Sequence, residues 1–136
     1  MSAKTPPPAP PRHGEGRSSA LDRERLRYGN ALARVVTALP KAFTQIAEVE
    51  RAWLFGSYLH GRRDLCTDLD LIVVMRSEHD VVRRTAWLYG RLAVLLDLNV
   101  DIDIIAYTPE EFARARERGF LRHALAQGRI IYERAD

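Results

Sequence analysis

The chain has 136 residues, which suits a single domain, and its hydrophobic (46%) and charged (29%) fractions exclude a disordered or fibrous protein. No apolar run approaches the ~20 residues of a membrane span, the N-terminus has no signal-peptide core, and one cysteine, Cys66, excludes an intrachain disulfide. The expectation is a cytoplasmic protein with no membrane partner. Most of the net charge of +3 sits in residues 1–20, where Lys4, Arg12 and Arg17 stand against Glu15, so direct nucleic-acid binding is not evident from charge.

Residues 1–20 hold five of the seven prolines and almost nothing to bury, and read as a disordered tail ahead of a domain over 21–136. From Leu21 to Leu39 apolar residues recur at helical spacing, which predicts one helix ended near Pro40. A first strand is expected at "RAWLFG" and a second at "LDLIVVM", residues 69–75, whose continuous apolar run implies burial on both faces. Ser77 and Asp80 read as an S-x-x-D capping box for a helix reaching Leu98. "VDIDIIAY", 100–107, is a third strand. In "TPEEF", Thr108 is the N-cap, Pro109 the first helical residue and Glu111 the third. A helix or helix pair then runs to Gln127, Gly128 stops it, and "RIIYE" is a short last strand. Strands alternating with helices indicate an α/β or α+β domain, a small mixed sheet flanked by helices.

Two stretches carry chemistry. Side chains two apart on a strand share a face, so Asp68 and Asp70 are expected side by side, and Asp101 and Asp103 repeat the arrangement on the third strand. Carboxylates this close raise each other's pKa unless a cation sits between them. Clustered carboxylate oxygens suit Mg²⁺, and two such ions about 4 Å apart could clamp the attacking and leaving oxygens of a phosphoryl displacement. Upstream, Gly56 permits a tight turn and close backbone approach to a ligand. Ser57 can open a helical turn whose free N–H groups and hydroxyl would hold phosphate.

Gly56-Ser57, ten residues, then Asp68-Leu69-Asp70 resembles the signature of nucleotidyltransferases of the DNA polymerase β superfamily. Gly61, Thr67, "DLDLIVV" and the C-terminal half "VDIDIIAYTPEEF…LRHALAQGRIIYE" resemble its minimal members, over about residues 45–134. The resemblance implies a polymerase β-like fold and an enzyme that moves AMP from ATP, with pyrophosphate leaving. It implies that Asp68 and Asp70 bind two Mg²⁺ ions, and that Gly56 and Ser57 hold the β- and γ-phosphates. It also implies a third carboxylate on the strand before "TPEEF". By register to that helix this is Asp103, with Asp101 ranked second. Leu59 and His60 depart from the family's usual Ala and Arg.

Larger relatives add a helical substrate domain, for which this chain leaves no room, so the acceptor is expected to be a hydroxyl of a partner protein. Minimal members often act as antitoxins that adenylylate a HEPN-type toxin, and the resemblance implies that partner and a homo- or hetero-oligomer. The alternatives are transfer to a small molecule or RNA, and a non-catalytic antitoxin that neutralises by binding. Arg62, Arg63 and His60 are read as solvated loop residues and Cys66 as no nucleophile. Trp53, Trp87 and Phe112 are assigned to the core, with Trp87 and Tyr89 as candidates for a partner face. The basic run 113–119 is read as an exposed helix face.

Overall fold

The computed structural model describes residues 13–135, with side chains from residue 19. Four helices and four strands follow one another: α1 (His13–Thr44), β1 (Val49–Phe55), β2 (Leu69–Met75), α2 (Val81–Leu95), β3 (Ile102–Tyr107), α3 (Pro109–Ala115), α4 (Gly119–Gln127) and β4 (Arg129–Glu133). The strands form one sheet in the order β3-β2-β1-β4. β2 and β3 are parallel and the other pairs antiparallel, so the sheet is mixed, as expected. The β2–α2–β3 crossover is what the parallel pair requires.

β2 is the central apolar strand. Leu69, Leu71, Val73 and Met75 bury themselves in a core with α1 and the inner face of α2. Ile72 and Val74 point the other way, into a second core made by Phe112 of α3 and Leu121 and Ala124 of α4. This two-sided cover is the burial its continuous apolar run implies. Trp53 stacks on Phe112 at 5.2 Å between ring centroids, so both belong to that second core.

The first helix departs from expectation at both ends. It begins at His13, eight residues before Leu21, so residues 13–20 are helical; the rest of the tail reading, residues 1–12, lies outside the described residues. Extending an existing helix needs no new nucleus, which lets it run on past its packed part. Leu21 and Leu26 there are exposed. Pro40 does not end the helix, which runs four residues further to Thr44. Phe43 in that last turn and Ile46 just after it are buried completely or nearly so, and this packing outweighs the backbone bond that Pro40 cannot make.

Other boundaries are set by local chemistry. The cap of α2 is Asp80, whose carboxylate accepts from the Arg83 N–H, and Ser77 lies outside it, its hydroxyl accepting from the His79 N–H. The helix also stops at Leu95, short of Leu98. α3 carries the full capping box of Thr108 and Glu111 with Pro109 at its start, as the sequence predicts. The expected third strand loses Val100 and Asp101, which precede the ladder. No helix among the described residues is long and apolar enough to cross a membrane.

Candidate active site

β1 ends at Phe55 opposite Asp70 of β2, and the chain leaves through Gly56. Gly56 has φ +84°, and a Cβ there would lie 2.1 Å from Asp70 Oδ2. Only glycine lets the turn lie against that carboxylate. Ser57 opens a hydrogen-bonded turn, its carbonyl accepting from the N–H groups of His60 (3.2 Å) and Arg62 (3.0 Å). Gly61, at φ +98°, completes the reversal.

The rest of the loop is spent on holding its own shape. Arg63 donates to the Tyr58 carbonyl at 2.6 Å and stacks over the Tyr58 ring at 3.6 Å. Arg62 pairs with Asp64 at 2.7 Å. Asp64 accepts in turn from the Cys66 N–H, and Thr67, fully buried, bonds Asp64 through both its N–H and its hydroxyl. These contacts fix the entry to β2 one residue before Asp68. His60 and Cys66 are exposed, and Cys66 is a free thiol.

Asp68 lies just ahead of β2, so strand alternation alone does not orient it; Asp70 is the second residue of that strand. In the parallel ladder Asp70 aligns with Asp103, and Asp101 falls outside β3, one residue before its first pair. Asp70 is half-buried, and its pKa is raised, first by burial and then by the charges of Asp103 and Asp68. The structure therefore places Asp68 and Asp103 within electrostatic reach of Asp70, which lies against Gly56. Asp101 lies outside the ladder and, like Asp103, is exposed to solvent. Among the described residues no Lys, Arg or His pairs with any of these carboxylates.

As they stand, the side chains do not converge on one point: among the described residues no three His, Cys, Asp or Glu groups could enclose a metal ion. The chemistry of the set still fits a hard divalent cation. Its donors are carboxylate oxygens without a cation of their own, and mutual repulsion already opposes the ionisation of Asp70.

The family model "Polymerase beta, Nucleotidyltransferase" matches residues 38–136. The chain belongs to this nucleotidyltransferase family. The match takes in β1, the Gly56-Ser57 turn, β2 and β3, so the protein is a nucleotidyltransferase. No curated protein matches the chain. Among solved structures it is similar to a Sulfolobus solfataricus protein described as a nucleotidyltransferase, at 16% identity and TM-score 0.47, over 84% of this chain and 87% of the other. It is also similar to a mutant of the MntA–HpeT toxin–antitoxin, at 20% identity and TM-score 0.48, over 73% of each chain. A third is the tri-AMPylated HEPN toxin of Shewanella oneidensis in complex with its MNT antitoxin, at 20% identity and TM-score 0.38, over 81% and 73%.

Two residues that sequence reasoning missed shape this nucleotidyltransferase. Arg84 of α2 is buried, donating to the Ala106 carbonyl at 2.9 Å and the His79 carbonyl at 3.1 Å and pairing with Glu111. The signal was a charged residue at i−4 from Leu88 on the helix face that turns inward. Tyr28 of α1 reaches the site through contacts 39 and 73 residues away in sequence, and no local pattern announces it.

Proposed function

We propose that the chain transfers AMP from ATP to a hydroxyl of a partner protein, as the antitoxin of a HEPN-type toxin. The observation that carries the chemistry is the register of Asp70 with Asp103, placed against the close turn at Gly56. Asp68, Asp70 and Asp103 would hold Mg²⁺, two ions in the reading the family resemblance implies. When bound, the metal supplies positive charge to the phosphoryl oxygens and lowers the pKa of the attacking hydroxyl.

The chain's own groups divide the rest of the work. The Gly56 and Ser57 turn holds the β- and γ-phosphates through backbone N–H groups and the Ser57 hydroxyl. Asp103, the exposed member of the aligned pair, takes the proton of the acceptor hydroxyl. The acceptor oxygen bonds to the α-phosphorus as the bond to the bridging oxygen breaks, and pyrophosphate leaves. The partner reading rests on the resemblance to minimal nucleotidyltransferases. It is supported by exposed apolar side chains on both flanks of α2, Val82 with Tyr89 on one and Trp87 with Val94 on the other.

The test is to incubate the protein with Mg²⁺, labelled ATP and the product of the neighbouring gene, and to take the intact mass of that partner. One or more AMP increments on the partner are expected. An unchanged mass with the partner's activity still blocked would favour neutralisation by binding. Label on RNA or on a small molecule would keep the chemistry and overturn the antitoxin role.

A further inference from the structure

We propose that Tyr28 is a positioning residue of the metal site, a hydroxyl latch between the backbones that carry Asp68 and Asp101–Asp103; this rests on the carboxylate-site reading above. Its Oη donates to the Thr67 carbonyl at 2.8 Å, the peptide group immediately before Asp68. The same oxygen accepts from the Asp101 N–H at 3.3 Å. One phenol thus ties α1 to the entries of both acid-bearing strands.

The entries need such a tie. Asp68 and Asp101 both lie outside the strand ladder, and the Leu69 N–H to Asp101 carbonyl bond, 2.9 Å, closes it only from the β2 side. Carboxylates on the two strands repel one another and push those entries apart. Thr67 is completely buried and fixed from behind by Asp64, so its carbonyl is a rigid anchor. The Tyr28 hydroxyl must be protonated to donate. Burial, with lesser contributions from the charges of Asp101 and Asp68, keeps its pKa raised, although the Asp101 N–H bond opposes this. Removing the oxygen would leave a carbonyl and an amide without their partner while keeping the aromatic ring. The carboxylates would then lose their relative placement, although none of them has been touched.

The test uses Tyr28→Phe and, as a control for helix docking, Val35→Ala, which trims a buried side chain two turns along α1. Mn²⁺ binding to the nucleotide-free proteins is read by electron paramagnetic resonance, beside their melting temperatures. Tyr28→Phe is expected to bind Mn²⁺ about tenfold more weakly, the low end for loss of a group that orients metal ligands. Its transfer activity should recover at raised Mg²⁺, with an unchanged KM for nucleotide. Val35→Ala should lose at least as much thermal stability and bind Mn²⁺ as wild type does. Wild-type Mn²⁺ affinity in Tyr28→Phe, or equal weakening in Val35→Ala, overturns the latch and leaves the carboxylate site standing. Equal Mn²⁺ binding by wild type and Asp70→Asn overturns the site, and the latch with it.

Discussion

β3 has carboxylates near both of its ends, and the two ends treat them in opposite ways. At its far end Glu111 accepts from the Thr108 N–H at 2.9 Å and pairs with the buried Arg84. The Thr108 bond first, with Arg84 adding to it, holds the Glu111 carboxyl below the usual range. At the near end Asp70 faces Asp103 and Asp68 without a cation among the described residues, and its pKa is raised. One end has a carboxylate whose charge is already matched, and it joins α2, β3 and α3. The other has charge left open, a cost to the fold that a bound cation or a proton would offset.

Breaking the open end should abolish activity without unfolding the protein. Asp70→Asn keeps shape and removes a ligand charge. Pyrophosphate release should fall by at least about a hundredfold, the scale for losing a group that stabilises transition-state charge. In metal-free buffer its melting temperature should hold or rise, because burial and repulsion both oppose the native charge. Activity near wild type would remove Asp70 from the site.

Breaking the matched end should do the reverse. Arg84→Met leaves Glu111 without its cation and the Ala106 and His79 carbonyls without a donor. A loss of roughly 1–3 kcal/mol in urea unfolding is expected, mainly from the two carbonyls left without a donor, since Glu111 itself is partly exposed. Specific activity per folded molecule should stay close to wild type. A stable but inactive variant would show that the far end takes part in catalysis.

Gly56→Ala sharpens the comparison at the open end. It meets both a left-handed backbone and a Cβ 2.1 Å from Asp70 Oδ2. A stability loss of about 1–2 kcal/mol is expected from backbone strain. Transfer should fall further than stability does, since the turn must move off the carboxylate. Equal activity would mean that the turn does not need to lie so close.

The smallest effect is in pH. The folded pKa of Glu111 is lowered from 4.5, so its stabilisation is full above that value and is lost as pH falls through the lowered one. The folded pKa of Asp70 is raised from 3.8, so its contribution is present at low pH and lost as pH rises through the raised value. In metal-free protein, Glu111→Gln should therefore flatten the acid limb of stability against pH. Asp70→Asn should flatten a decline on the other side of it, as measured by melting temperature between about pH 3 and 6.

These two ends were not equally legible in the sequence. β2 and the Thr108–Glu111 capping box could be read directly, because an apolar run and a cap are local chemistry. Gly56, Asp68 and Asp70 stood out because charge and glycine interrupt apolar strands. That Asp103, and not Asp101, lies opposite Asp70 is a property of the ladder, which the sequence alone does not give. Tyr28 acts through contacts 39 and 73 residues away, of which spacing along the chain carries no trace, whereas the spacing of Arg84 to Leu88 marks its face but not its partners Ala106 and Glu111. The extension of α1 to His13 and its passage through Pro40 reflect cooperativity and packing that override composition.

The contrast between the ends is tested most directly by the melting temperature of the nucleotide-free protein with and without millimolar Mg²⁺. A cation that binds only the folded state stabilises it by mass action. Wild type and Glu111→Gln should both gain melting temperature on adding Mg²⁺, and Asp70→Asn should gain none. An equal gain in Asp70→Asn, or no gain in wild type, would contradict a metal site at the open end of the sheet.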